Sequence, residues 1–345
     1  MRLAIGILLA CGVAACDEHV AALATVSDAA LTTGWTAIPA GTANLNAISG
    51  VSESSLWVVG DRGTIGHWNG TQLSWETSGT TANLRGVFAL SATTAYAVGD
   101  NGTILQRQAT GSWQQVGKGV TGQVLTAVWA DTTRIVAVGS SGTFVLGGVV
   151  GGAKYQVLPV TDPATKNPVV QNLLGVTGSP GGVVTAVGAL GVEATLQPGA
   201  MAAFLVPLCT PMACINNQGT FSKQLSAATV GPNGAYFVGQ QGSVFAASTS
   251  GQNATGISGC PGTALRAVSA TGSSVWIAGW DGTICEITAT GAVSFPFSDA
   301  RWFNGIYAAS ATSLWVVGAS GTLLHGFPNN PDGGAPDASV LDGGS

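Results

Sequence analysis

The residues best equipped for chemistry stand in a glycine-rich run, Trp57-Val58-Val59-Gly60-Asp61-Arg62-Gly63-Thr64-Ile65. Glycines beside an acid and a cation could cradle a phosphate or line an active-site loop. The run, however, comes back six more times. A motif repeated at near-constant spacing is architecture first. The other candidates are scattered. His19 lies near the N-terminus, while His67 and His325 hold the same place in the first and last repeats. Those two either form a metal pair or are ordinary outer-strand surface residues. Glu53, Glu76, Glu193 and Glu286 share no common register, so no acid–base pair is indicated. Tyr96 and Tyr236 occupy the repeat position of Trp57, Trp276 and Trp315, which marks packed core. No Gly-x-Ser-x-Gly elbow or phosphate loop sits on a strand–helix junction. The expectation is no catalytic residue, no cofactor and no metal.

The elements follow from the repeat. Each copy opens with an apolar residue, a variable one and a small one, as in Leu45-Asn46-Ala47, Leu84-Arg85-Gly86 and Leu265-Arg266-Ala267. About fourteen residues later an apolar run ends in Gly60, Gly99, Gly139, Gly188, Gly239, Gly279 or Gly318, at spacings of 39, 40, 49, 51, 40 and 39. Two residues and a second Gly follow, which reads as a hairpin turn with glycine supplying positive φ. In the first unit the strands fall at 45–50, 55–60, 63–68 and 73–77. The run Leu56-Trp57-Val58-Val59 is apolar without alternation, as in a strand covered on both faces. Four such strands every 40 residues or so make a propeller blade.

The predicted fold is therefore all-β: a seven-bladed β-propeller of four-stranded blades over residues 34–327. The seventh unit lacks a fourth strand, and a spare segment, Gly34-Trp35-Thr36-Ala37-Ile38-Pro39, precedes the first. That segment is expected to complete the last blade and leave no open edge. The third unit is stretched at Pro159–Gln171 and the fourth around Pro198–Gln218. Both excesses are expected in surface loops.

Composition agrees. Only 8% of residues are charged, 46% are hydrophobic and 51 are glycine, which suits short strands and turns rather than amphipathic helices. A net charge of −5 gives no footprint for nucleic acid. Residues 1–15 read as a lipoprotein signal peptide ending at Val13-Ala14-Ala15-Cys16. The alternatives are Cys11 as the lipidated residue, after a shorter apolar segment, and an ordinary cleaved signal. Residues 16–33 read as a tether and 328–345 as a disordered tail. The chain is thus expected in the bacterial cell envelope, reaching the membrane through a lipid anchor only. In such a compartment the remaining cysteines form disulfides. Three pairings are open; Cys209–Cys214, flanking a turn-like Thr-Pro-Met-Ala, with Cys260–Cys285 is the favoured one. Zinc is disfavoured because there is no Cys-x-x-Cys and no nearby His.

The run Val-Gly-x-x-Gly-Thr-Ile, followed by His67-Trp68-Asn69-Gly70 and Trp75, resembles degenerate BNR/Asp-box propellers. It is most similar to the photosystem II assembly and stability factor-like group and its non-photosynthetic bacterial relatives. The resemblance covers about residues 34–327. Asn69, Thr110 and Thr290 stand where a full Asp-box has Asp. The resemblance implies either a non-enzymatic scaffold binding a protein partner, or a glycan-binding or sialidase-type propeller. The latter needs an arginine cluster, a tyrosine nucleophile and convergent carboxylates, and the chain offers seven Arg and four Tyr. In a propeller, the variable inner-strand position and the hairpin turns share one face. The candidate partner-binding residues there are Asn46, Asp61, Arg62, Arg85, Asp100, Arg266, Trp280, Asp281 and Asn304. Equally, Asp and Asn suit tight turns for their own sake.

Overall fold

The computed structural model describes residues 34–149, 154–206, 223–247, 254–295, 297 and 300–327. Seven antiparallel blades stand in a ring, each with an inner, second, third and outer strand. In blade 1 these are Leu45–Ser52, Ser55–Gly60, Ile65–Trp68 and Leu73–Trp75. Among the described residues there is no α-helix.

Both-face burial explains the second strands. In Leu56-Trp57-Val58-Val59 every side chain is fully buried. Alternate residues point to opposite faces. Trp57 and Val59 pack against Leu84 and Val87 of blade 2, while Leu56 and Val58 pack with Trp315 and Val317 of blade 7. Tyr96, Trp276 and Trp315 fill the same place in their own seams. The core is thus a ring of seven inter-blade seams.

The ring closes as the spare segment required. Trp35–Ala37 pairs antiparallel with Leu323–Gly326, the third strand of blade 7, in the register Trp35↔Gly326 and Ala37↔Leu324. The Ile38 N–H donates to the Leu323 carbonyl at 2.9 Å, and the Phe327 N–H to the Gly34 carbonyl at 3.0 Å. Trp35 is buried against Phe297 and Phe303.

Three expectations need revision. The stretch Pro159–Gln171 is more than a loop. Val160–Thr161 adds to the outer strand of blade 4, Ala203–Leu205, in parallel, making that sheet five-stranded. Val160 is buried in the blade 3–4 core, so the added length covers an edge. Second, part of what counted as excess in the fourth unit is that blade's own outer strand. Third, the first glycine of each hairpin is extended: Gly60 has φ −158°. It is needed because a Cβ there would collide with the Asn44 carbonyl. The positive φ is shared by the second glycine and the residue before it, as in Gly63 at 72° and Arg62 at 55°.

Cys260 and Cys285 are disulfide-bonded, with Cα atoms 6.0 Å apart. Cys209, Cys214, Cys16, the signal segment, the tether and the tail lie outside the described residues.

Candidate functional site

The variable position of the inner strand reaches the central channel for a local reason. In all seven blades the pairing of inner and second strands slips after the first residue: between Leu45 and Ala47, Leu84 and Gly86, and so on to Phe303 and Gly305. The skipped residue is a bulge, and a bulge re-aims its side chain. Asn46, Arg85, Thr126, Leu174, Ser226, Arg266 and Asn304 therefore line one cavity of about 330 Å³. The following residue is small because inner strands converge there. A Cβ on Gly175 would stand 2.8 Å from the Ala227 Cα.

Most of the polar groups at this mouth are occupied. Asn46 Nδ2 donates to Asp61 Oδ1 and to the Leu84 carbonyl, both at 2.9 Å. Asn304 Nδ2 donates to the Leu45 carbonyl at 3.0 Å, and Thr126 Oγ1 to the Leu173 carbonyl at 2.7 Å. The bonds to the Leu84, Leu45 and Leu173 carbonyls run from one inner strand to the next and tie the ring around the channel. Arg85 pairs with Asp100 at 2.5 and 3.3 Å, and Asp100 also accepts from Asn83 Nδ2 at 3.1 Å. The hairpins are docked by asparagines of the next blade: Asn83 accepts the Arg62 N–H at 3.0 Å, Asn172 the Ser141 N–H and Asn44 the Ser320 N–H.

Blade 6 departs from this pattern. Its hairpin carries Trp280 where blades 1 and 2 have Asp61 and Asp100. The neighbouring blade presents Trp302 where others present Asn44, Asn83 and Asn172. The two indoles stack at 5.0 Å and 18°. The Arg266 guanidinium lies over Trp280, 5.6 Å from its centroid, an attraction between a cation and the ring face. Burial pulls the Arg266 guanidinium below its ordinary value. Trp302 remains 54% exposed. The result is an Arg–Trp–Trp ladder at the lip of the channel, with its outer face open.

The sequence-derived set thus divides. Asn46, Asp61, Arg85, Asp100 and Asn304 are held in internal hydrogen bonds. Arg62, Arg266, Trp280 and Asp281 remain presented at the mouth, with Asp281 exposed at φ 54°. Trp302 was missed. Its signal is the register position just before each inner strand, where Asn44, Asn83 and Asn172 recur.

The remaining chemical candidates lie elsewhere. His67 stacks on Trp57 at 4.4 Å and His325 on Trp315 at 4.2 Å. These are cross-strand neighbours in two different seams, on opposite sides of blade 1, so the pair shares no site. Neither is a plain surface residue, because the flat indole draws each ring inward. Glu76 accepts from Arg107 at 2.8 and 2.9 Å and from Trp113 Nε1 at 2.7 Å, clamping blade 1 to blade 2. Tyr96 is fully buried, accepts from Gln106 Nε2 at 3.0 Å, and is pushed up to about 12 by that burial. Among the described residues no three His, Cys, Asp or Glu side chains group as metal ligands.

No protein-family model and no curated protein sequence matches the chain. Solved structures do match it in fold. YCF48 bound to D1 peptide superposes with a TM-score of 0.63 at 18% identity, covering 86% of this chain and 97% of that one. YCF48 from Cyanidioschyzon merolae gives 0.64 at 17% identity, covering 86% and 100%. A catalytically inactive virginiamycin B lyase from Staphylococcus aureus with quinupristin gives 0.65 at 12% identity, covering 85% and 98%. All are β-propellers, and at these identities the likeness is one of fold.

Proposed function

We propose that this chain is a lipid-anchored propeller of the bacterial cell envelope that captures a protein partner at its channel mouth, without catalysing a reaction. The observation that carries this reading is the Arg266–Trp280–Trp302 ladder. Arginine and tryptophan dominate the anchoring residues of protein interfaces, and here they are stacked in advance on a rigid scaffold. A pre-ordered anchor loses little entropy on binding. The fold neighbour YCF48, bound to a D1 peptide, supports a protein partner. The described chain ends would orient such an anchor. Gly34 and Phe327 are hydrogen-bonded to each other at the end of blade 7 away from the hairpins. A tether from Cys16 would hold that face toward the membrane and turn the mouth outward.

A photo-crosslinking amino acid at Trp302 tests the reading, with one at Trp75, an exposed outer-strand site, as reference. The expected result is a discrete protein adduct at 302 only, lost when Arg266→Ala is added. Equal labelling at both positions, or none at 302, overturns it. Retention on a glycan array without any protein adduct would replace it with the glycan-binding alternative.

A further inference from the structure

The seam between blades 4 and 5 is built unlike the other six. Two residues after the second hairpin glycine, six blades carry Ile65, Ile104, Phe144, Val244, Ile284 or Leu323, each at most 2% exposed. Blade 4 carries Glu193. It is 1% exposed, and among the described residues neither carboxyl oxygen has a hydrogen-bond partner. At the repeat position of Trp57, Tyr96 and Trp276, blade 4 carries Thr185. It too is 1% exposed, with an unpartnered hydroxyl.

Strand pairing puts these groups on one face. Val187 opposes Glu193 and Thr185 opposes Thr195, so all four side chains share a side. Val187 packs with Leu225, Ala235 and Phe237 of blade 5, which makes this the face turned to that blade. The answering surface also includes Ala228, Phe245 and Ala247. It is apolar, mostly small and without charge. On the strands of blades 4 and 5 the one other ionisable side chain is Tyr236. By strand alternation it points away, toward blade 6. Lys223 precedes the inner strand of blade 5, and among the described residues it is burial that shifts the carboxyl.

We propose that Glu193 makes the blade 4–blade 5 seam a proton-controlled joint, closed while the carboxyl is protonated and loosened by water when it ionises. An unpaired carboxylate in apolar surroundings is so unfavourable that the group either keeps its proton or finds solvent. Burial pushes Glu193 up to about 9 from an ordinary 4.5. The closed seam therefore binds a proton that the open form releases. Its stability is complete below the ordinary value and is lost progressively as pH rises toward the shifted one. On the blade 5 side this face includes Leu225, whose neighbour Ser226 on the same inner strand lines the channel, so the joint reaches the ring around the mouth.

Hydrogen exchange on the full chain reads this directly. Amides of Val184–Gly188, Glu193–Leu196 and Gly234–Gly239 are compared with those of Ser55–Gly60 and Ser313–Gly318 between pH 5 and pH 9, after correction for intrinsic chemical exchange. The expected result is a relative opening at least about tenfold greater at pH 9 than at pH 5 in the parent chain. In Glu193→Leu that ratio stays flat. Where Glu193→Leu fails to fold, Glu193→Gln, neutral and of the same shape, gives the deciding ratio. A flat ratio in the parent chain, or a pH-dependent one in the neutral variants, overturns the proposal.

Discussion

At the scale of single residues, the Glu76–Arg107 clamp is a bidentate polar contact outside the mouth. Arg107 is 9% exposed and also donates to the Thr93 carbonyl at 3.0 Å. Its guanidinium lies over Trp57. Removing one member of a desolvated pair leaves the other uncompensated, so Arg107→Ala should cost about 3 kcal/mol in chemical denaturation. For Glu76, burial raises the carboxyl. The hydrogen bonds from Arg107 and Trp113 and the guanidinium charge outweigh it, and the net shift is downward. A depressed carboxyl contributes stability above its ordinary value, which is lost as pH falls through the depressed one. The acid limb of the melting profile, below about pH 4.5, should therefore flatten in Glu76→Gln. An unchanged limb would remove Glu76 from that role. These pairings were invisible in the sequence. Glu76 and Arg107 are 31 positions apart, and only inter-blade stacking joins an outer-strand carboxylate to the third strand of the next blade. His67 misled for the same reason: its period marked a position, and the indole across the strand decided its burial.

At the scale of elements, the closing strand is short, and it joins the two ends of the described chain. Ile38→Pro removes the donor to the Leu323 carbonyl, and a proline within a sheet ladder is tolerated only at an edge without that bond. A loss of about 1–3 kcal/mol is expected from the unpaired carbonyl, seen as a lower calorimetric midpoint for the whole ring. A shift under about 1 °C would mean that blade 7 stands without its borrowed strand. This closure was legible because Trp35–Ile38 has the composition of other fourth strands and the seventh unit lacks one. The hairpins were half legible. Their glycines were found. Which glycine needs positive φ and which needs an absent Cβ depends on close approaches such as that of the Asn44 carbonyl, at the start of the paired inner strand, to Gly60. The fifth strand of blade 4 was not legible, since Val160-Thr161 carries no periodic signal.

For the whole molecule, the hairpin turns and variable residues form one face, and both described chain ends lie at the other. The proposed anchor gives this polarity a consequence. Cys16→Ala should move the protein from the membrane fraction to the soluble one while leaving its thermal midpoint unchanged. Retention in the membrane would defeat the anchor. The amino-acid sequence by itself determined the ring: its blade number, its strand order, its seam residues and its point of closure. Each of these rests on local periodicity repeated seven times, and repetition makes a weak local signal strong. Tertiary structure alone decided which polar residues at the mouth are already spent, because Asn46, Arg85 and Asn304 find their partners across a bulge or a blade boundary. It also set Trp302 against Trp280 and sealed Glu193 without a partner. Such pairings depend on distances between chain segments 15 or more residues apart, and only the folded and stacked blades bring those segments together.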